Sequence, residues 1–139
     1  MPDCIFCKIV AGQIPAKVVR HNSGAMAFLD AFPLASGHTL VVPKSHCAKV
    51  QDMEKEDAAA VFALVHEITK AVESAAGTSA STIAIHNGSE AGQEVPHVHV
   101  HIIPRKQGDG AGPVHSMFKN RPKLSAEEMD SLLSKISSQ

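Results

Sequence analysis

Three histidines alternate in the run His97-Val98-His99-Val100-His101-Ile102-Ile103. In an extended chain alternate side chains share a face, so the three imidazoles line one side about 7 Å apart and Val98 and Val100 face the other. A single strand histidine reads as a hydrogen-bonded, half-buried residue. Three at strict alternation need a task, because polar rings are costly to bury without one. Two tasks fit, metal ligation and phosphoryl chemistry. Neutral imidazole, with an ordinary pKa near 6.5, is a nucleophile at neutral pH. Neighbouring imidazoles then stabilise phosphate charge or protonate a leaving group. Just upstream, His86-Asn87-Gly88-Ser89-Glu90-Ala91-Gly92-Gln93 can turn sharply and present backbone N–H groups to an anion. An Asn-Gly pair alone reads as a turn; next to the histidine run it is a candidate phosphate cradle. Cys4-x-x-Cys7 is half of a tetrahedral metal site and lacks two ligands, or else a reduced pair packing as small hydrophobes.

These residues need elements to carry them. Phe6, Ile9 and Val10 share one side of a short helix closed by Gly12 and Pro15, and strands follow at about 17–20 and 25–29 around the turn Asn22-Ser23-Gly24. His38–Val42 is an apolar strand ended by Pro43. Val61, Val65, Ile68 and Val72 make one stripe of a helix over about 54–76, with acidic residues in its first turn and Gly77 as its stop. Strands follow at 82–86 and 97–103. A Gly-rich excursion then leads to a last helix opened by the capping box Ser125-x-x-Glu128. Short strands with two helices, without regular βαβ alternation, predict an α+β fold: an antiparallel meander sheet with one long helix and a C-terminal helix. One domain is expected over 1–139, its core at about 3–105 and a loop plus helix at 106–139.

Composition limits what such a domain does. Thirteen Lys and Arg against fourteen Asp and Glu give a formal charge of −1, which argues against a dedicated nucleic-acid binder. No apolar run approaches the roughly 20 residues of a membrane span. Met1–Cys7 lacks the layout of a signal peptide, and three cysteines fit a reducing compartment. A cytoplasmic protein without membrane or nucleic-acid partners is expected. Arg105–Lys123 holds five basic residues against Asp109 and reads as a solvated stretch, and Cys47 reads as core.

Three stretches together carry a resemblance: Ala91-Gly92-Gln93-x-Val95-x-His97-x-His99-x-His101, Gly37-His38-Thr39-Leu40-Val41-Val42-Pro43-Lys44-x-His46, and Cys4-Ile5-Phe6-Cys7-Lys8-Ile9. Over about residues 3–105 the chain resembles the histidine triad family. The resemblance implies a hydrolase acting on a purine nucleotide at the α-phosphate. His99 would form a covalent nucleotidyl-histidine, His101 and His38 would contact phosphate oxygens, and an NMP such as AMP would be released. It puts Asn87 and the backbone of Gly92 and Gln93 on the phosphate, Asp30 on the ribose, and Phe6, Ile9 and Phe28 around the base. Asp30 is otherwise a turn residue, and the three apolar residues are otherwise core. It further implies a homodimer, and a structural Zn²⁺ on Cys4, Cys7, His46 and His97. Ile14-Pro15-Ala16-Lys17 is similar to the Hint-type branch, which acts on nucleoside phosphoramidates. Gly88–Gln93 and Pro104-Arg105-Lys106 are similar to the Fhit-type branch, which acts on dinucleoside polyphosphates. Many relatives carry Ser or Thr after the Gly-Gln pair. Here Glu94 stands there, and repulsion from phosphate predicts that it turns outward. A nucleotide sensor with little turnover, or a metal-handling protein using the nine histidines, are the rival classes.

Overall fold

The computed structural model describes residues 3–139; Met1 and Pro2 of the stretch read for a leader lie outside the described residues. The chain separates into two compact units, one ending at Asp109 and one of Gly110–Gln139.

In the first unit, α1 (Ile5–Val10) precedes β1 (Val18–His21), β2 (Ala25–Leu29), β3 (Thr39–Pro43), α2 (Lys55–Ala75), β4 (Ala80–Ala84) and β5 (Val100–Arg105). The five strands form one sheet in the order β1-β2-β3-β5-β4, every pair antiparallel. β1–β3 form the expected meander. The chain then crosses over through α2, so that β5 returns between β3 and β4.

Strand alternation divides the apolar residues between the two faces of the sheet. Ala25, Ala27, Val41, Val100 and Ile102 meet Val61, Leu64, Val65, Ile68 and Val72 of α2 in one core. Phe28, Leu40 and Val42 point the other way and meet Cys4 and Phe6, with Ile9 and Val95 packed alongside. β3 is therefore buried along its whole length, as an apolar run on a two-sided sheet requires. Burying α2's stripe stabilises by roughly 1.5–3 kcal/mol per large aliphatic side chain. α2 ends at Ala76, and Gly77 follows at φ +70, a left-handed position suited to glycine.

β5 begins three residues later than the sequence predicts. Pro43, the last residue of β3, gives its carbonyl oxygen to His97 Nε2 at 2.8 Å. Val98 N–H donates to Cys47 and His97 N–H to Val95. The chain at 97–99 is thus held by side-chain and loop bonds in place of a strand ladder. In the second unit, α3 (Ala126–Ser137) carries the predicted capping box of Ser125 and Glu128. No described helix is long and apolar enough to cross a membrane.

Candidate active site

The histidines stand on the face of the sheet opposite α2. His38 directly precedes β3 and is 1% exposed, His99 leads into β5 at 7%, and His101 lies within β5. The ring centroids of His99 and His101 are 4.9 Å apart, closer than ideal alternation, and those of His38 and His101 are 5.1 Å apart.

Main-chain partners decide which nitrogen of each neutral ring bears the proton, because a carbonyl only accepts and an amide N–H only donates. His99 Nδ1 lies 2.8 Å from the carbonyl oxygen of His97. Nδ1–H donates there, which leaves Nε2 with a lone pair. Leu34 N–H donates to His38 Nδ1 at 3.0 Å, so the proton of His38 is on Nε2, which donates to His101 Nδ1 at 2.9 Å. The proton of His101 is then on Nε2. That atom is buried and has no hydrogen-bond partner among the described residues. An unsatisfied buried donor costs about 1–3 kcal/mol, which an acceptor on a ligand would recover.

Burial favours the neutral rings. It pushes His101 down to about 4, with His99, His38 and His86 adding their repulsion. It also lowers His38, outweighing Asp30, whose Oδ2 lies 3.6 Å from His38 Nε2. Asp30 Oδ1 accepts from Phe32 N–H at 2.8 Å, so Asp30 is a turn residue as well as part of the wall.

A cavity of about 1010 Å³ opens in front of these groups, large enough for a nucleotide. Its walls include the candidates Asp30, His38, His99, His101 and Gly92, and the apolar Phe6, Ile9 and Phe28. Phe6 and Phe28 are core and wall at once, with rings edge-on at 5.6 Å.

Two candidates lie elsewhere. Asn87 Oδ1 accepts from Val50 N–H at 2.9 Å and its Nδ2 donates to Gln51 at 3.0 Å, so its carboxamide braces the loop at 50–52 and does not border the cavity. The Gln93 side chain accepts from Gly88 N–H and donates to the carbonyls of Ala48 and Val95, tying the loop together. In place of Asn87 the wall presents His86, whose ring centroid is 5.5 Å from that of His101. Ala84 pairs with His101 across β4 and β5. His86, two residues on, falls on the same side, which is legible once the register is known. Glu94 is exposed, as expected, yet it borders the cavity. Cys47 is half-buried and gives its thiol proton to Lys49 O at 3.3 Å, so it is not core as expected.

Cys4, Cys7, His46 and His97 bring one donor atom each to within 4.8 Å of the others. His97 Nε2–H donates to Pro43 O, which turns the Nδ1 lone pair toward Cys4 Sγ at 3.3 Å and Cys7 Sγ at 3.5 Å. His46 Nδ1 lies 3.4 Å from Cys7 Sγ. Tetrahedral zinc with ordinary bond lengths sets S and N ligands about 3.6 Å apart. The donor set therefore fits a closed four-ligand site, with the ring of His97 oriented by its bond to the Pro43 carbonyl.

Comparisons with known proteins place the chain in a family. The HIT domain pattern matches residues 11–108. An uncharacterised HIT-like protein of Methanocaldococcus jannaschii is 47% identical over 109 residues, covering 77% of this chain and 82% of its own. An adenosine 5'-monophosphoramidase of Schizosaccharomyces pombe is 40% identical over 133 residues, covering 93% and 97%. Among solved structures, a HIT family protein of Bacillus subtilis superposes with TM-score 0.87 at 37% identity over 99% of this chain and 96% of its own. A Zn-bound histidine triad protein of Mycobacterium smegmatis superposes with TM-score 0.73 at 30% identity, covering 99% and 97%. With the pattern spanning most of the chain and its histidines gathered at one cavity, the protein belongs to the HIT domain family.

Proposed function

We propose that the protein hydrolyses nucleoside phosphoramidates at the α-phosphate and releases AMP or another NMP. The observation that carries this reading is the orientation of His99: its Nδ1–H is fixed on the carbonyl of His97, which leaves Nε2 as the free lone pair of a ring lining the cavity. Nε2 attacks the α-phosphorus, the P–N bond breaks, and the amine leaves with a proton taken from water. The nucleotidyl-imidazolium keeps its Nδ1–H on the carbonyl. A second water then bonds to phosphorus and gives up its proton to solvent, and the NMP departs as Nε2 regains its lone pair. His101 Nε2–H, fixed through His38 and Leu34 N–H, meets the oxygen on which charge develops. Asp30 takes the ribose, and Phe6, Ile9 and Phe28 flank the base; the N–H groups of Gly92 and Gln93 are bonded to Ser89 O and Gly88 O. The activity of the S. pombe relative supports the choice of phosphoramidate.

We also propose zinc on Cys4, Cys7, His46 and His97, supported by the fit of the donor set and by the Zn-bound relative. Such a site is structural, because all four positions are filled by protein. A homodimer follows from the family resemblance. The edge strand β4, with Ile83 exposed, offers unpaired main-chain groups to a second copy.

The test of the reaction is AMP release from adenosine 5'-phosphoramidate. His99→Ala should lower kcat by about 10³-fold or more, as expected for a lost nucleophile. Rapid alkaline quench, in which the P–N bond to histidine survives, should trap an adenylyl group on the wild type and none on the variant. Turnover that survives in His99→Ala sinks the mechanism.

A further inference from the structure

We propose that Glu94 sorts leaving groups by charge, admitting amines and disfavouring oligophosphates. The proposal rests on the α-phosphate reading above and names the chemistry of the departing half of the substrate.

The segment 92–94 brings Glu94 to the cavity that His99 and His101 also line. Gly92 adopts φ +97, and a Cβ built on it would lie 3.9 Å from the ring of His86. The ring of His86 neighbours that of His101, the group whose Nε2–H awaits an acceptor. From Gly92 the chain alternates. Gly92 borders the cavity, Gln93 turns back into the loop, and Glu94 borders the cavity again.

Besides its histidines, the cavity wall carries three charged side chains: Lys17, Asp30 and Glu94. Asp30 is engaged with Phe32 N–H and stands near His38. Glu94 has no hydrogen bond or ion pair among the described residues, so its carboxylate acts on whatever enters the cavity. A departing amine is neutral or cationic and is attracted by this group. A departing nucleoside oligophosphate adds negative charge with each phosphate and is repelled, the more so beside apolar walls that weaken screening. Lys17 is the cation of this wall, and the histidines add little to it, because burial holds His38 and His101 below their ordinary pKa.

Two measurements on the full-length protein test this. The first is calorimetric binding of AMP, ADP and ATP to wild type, Glu94→Gln and Glu94→Asp. The second is kcat/KM for adenosine 5'-phosphoramidate and for diadenosine tetraphosphate. In the wild type, affinity should fall from AMP to ATP. Glu94→Gln should remove that fall, and Glu94→Asp should keep it. The phosphoramidate-to-dinucleotide ratio should drop about tenfold in Glu94→Gln, through a gain on the dinucleotide. The contrast between wild type and Glu94→Gln should shrink at about 1 M salt, where the screening length is roughly 3 Å. An unchanged AMP-to-ATP series in Glu94→Gln overturns the proposal, as does an equal change on both substrates. If the wild type binds with this charge dependence yet releases no AMP, the hydrolase reading fails and the charge filter stands.

Discussion

A proton on the wrong nitrogen would disarm this site without moving an atom of carbon. The proposed mechanism needs the lone pair of His99 on Nε2 and the proton of His101 there, and the bonds to His97 O and from His38 assign both. The cost of keeping such rings neutral and buried falls on stability at low pH. The ordinary value for His101 is 6.5 and the folded value is about 4. Between the two, the unfolded chain binds a proton that the folded chain does not, so stability decreases as pH falls through that window and is fully present above it. Thermal melts across this range should show the decline, and His101→Asn should flatten part of it. A wild-type melting temperature that stays level from pH 6.5 to 4 would remove His101 from that role. The chemistry of single residues was the most legible layer, because alternation alone gathered His97, His99 and His101. The resemblance puts Asn87 on phosphate, and the direction of its carboxamide, here toward the loop at 50–52, is not written in an Asn-Gly pair. His86 went unplaced because its side is decided by the pairing of Ala84 with His101, two strands' worth of register away.

At the level of elements, the sheet is a partition. One face packs α2 and the other presents the cavity, so the two sets of side chains answer to different demands. Ile68 of α2 is 1% exposed and lies in the α2 core. Ile68→Ala should cost about 2–5 kcal/mol of stability, read by urea unfolding. Below its unfolding midpoint the variant should keep kcat per folded molecule, because no atom of Ile68 borders the cavity. A kcat that falls in step with stability would contradict the partition. The stripe of α2 and the strands β1–β3 were readable from periodicity and turn residues. Two things were not. The order of β4 and β5 depends on a crossover that periodicity does not encode. The start of β5 is displaced because an imidazole occupies the carbonyl that a ladder would have used.

For the molecule as a whole, Cys4 and Cys7 meet His97 of the histidine run across sequence separations of 93 and 90 residues. Metal on this cluster would close that long loop, and its binding free energy would add to folding. Native mass spectrometry of the wild type should give two chains with one zinc each. Cys7→Ser should lose the metal and melt lower, and chelation of the wild type should reproduce that loss. A metal-free wild type of unchanged melting temperature would dismiss the zinc reading, and a single-chain mass would dismiss the dimer.

The atoms that orient His99, His97 and His38 are the carbonyls of His97 and Pro43 and the amide of Leu34. A codon change replaces a side chain and leaves the peptide group in place; only proline deletes an amide, and nothing in the genetic code deletes a carbonyl. Alanine scanning would therefore pass over the main-chain groups that orient these rings. Sequence drift around the site is correspondingly free wherever it leaves the path of the backbone intact.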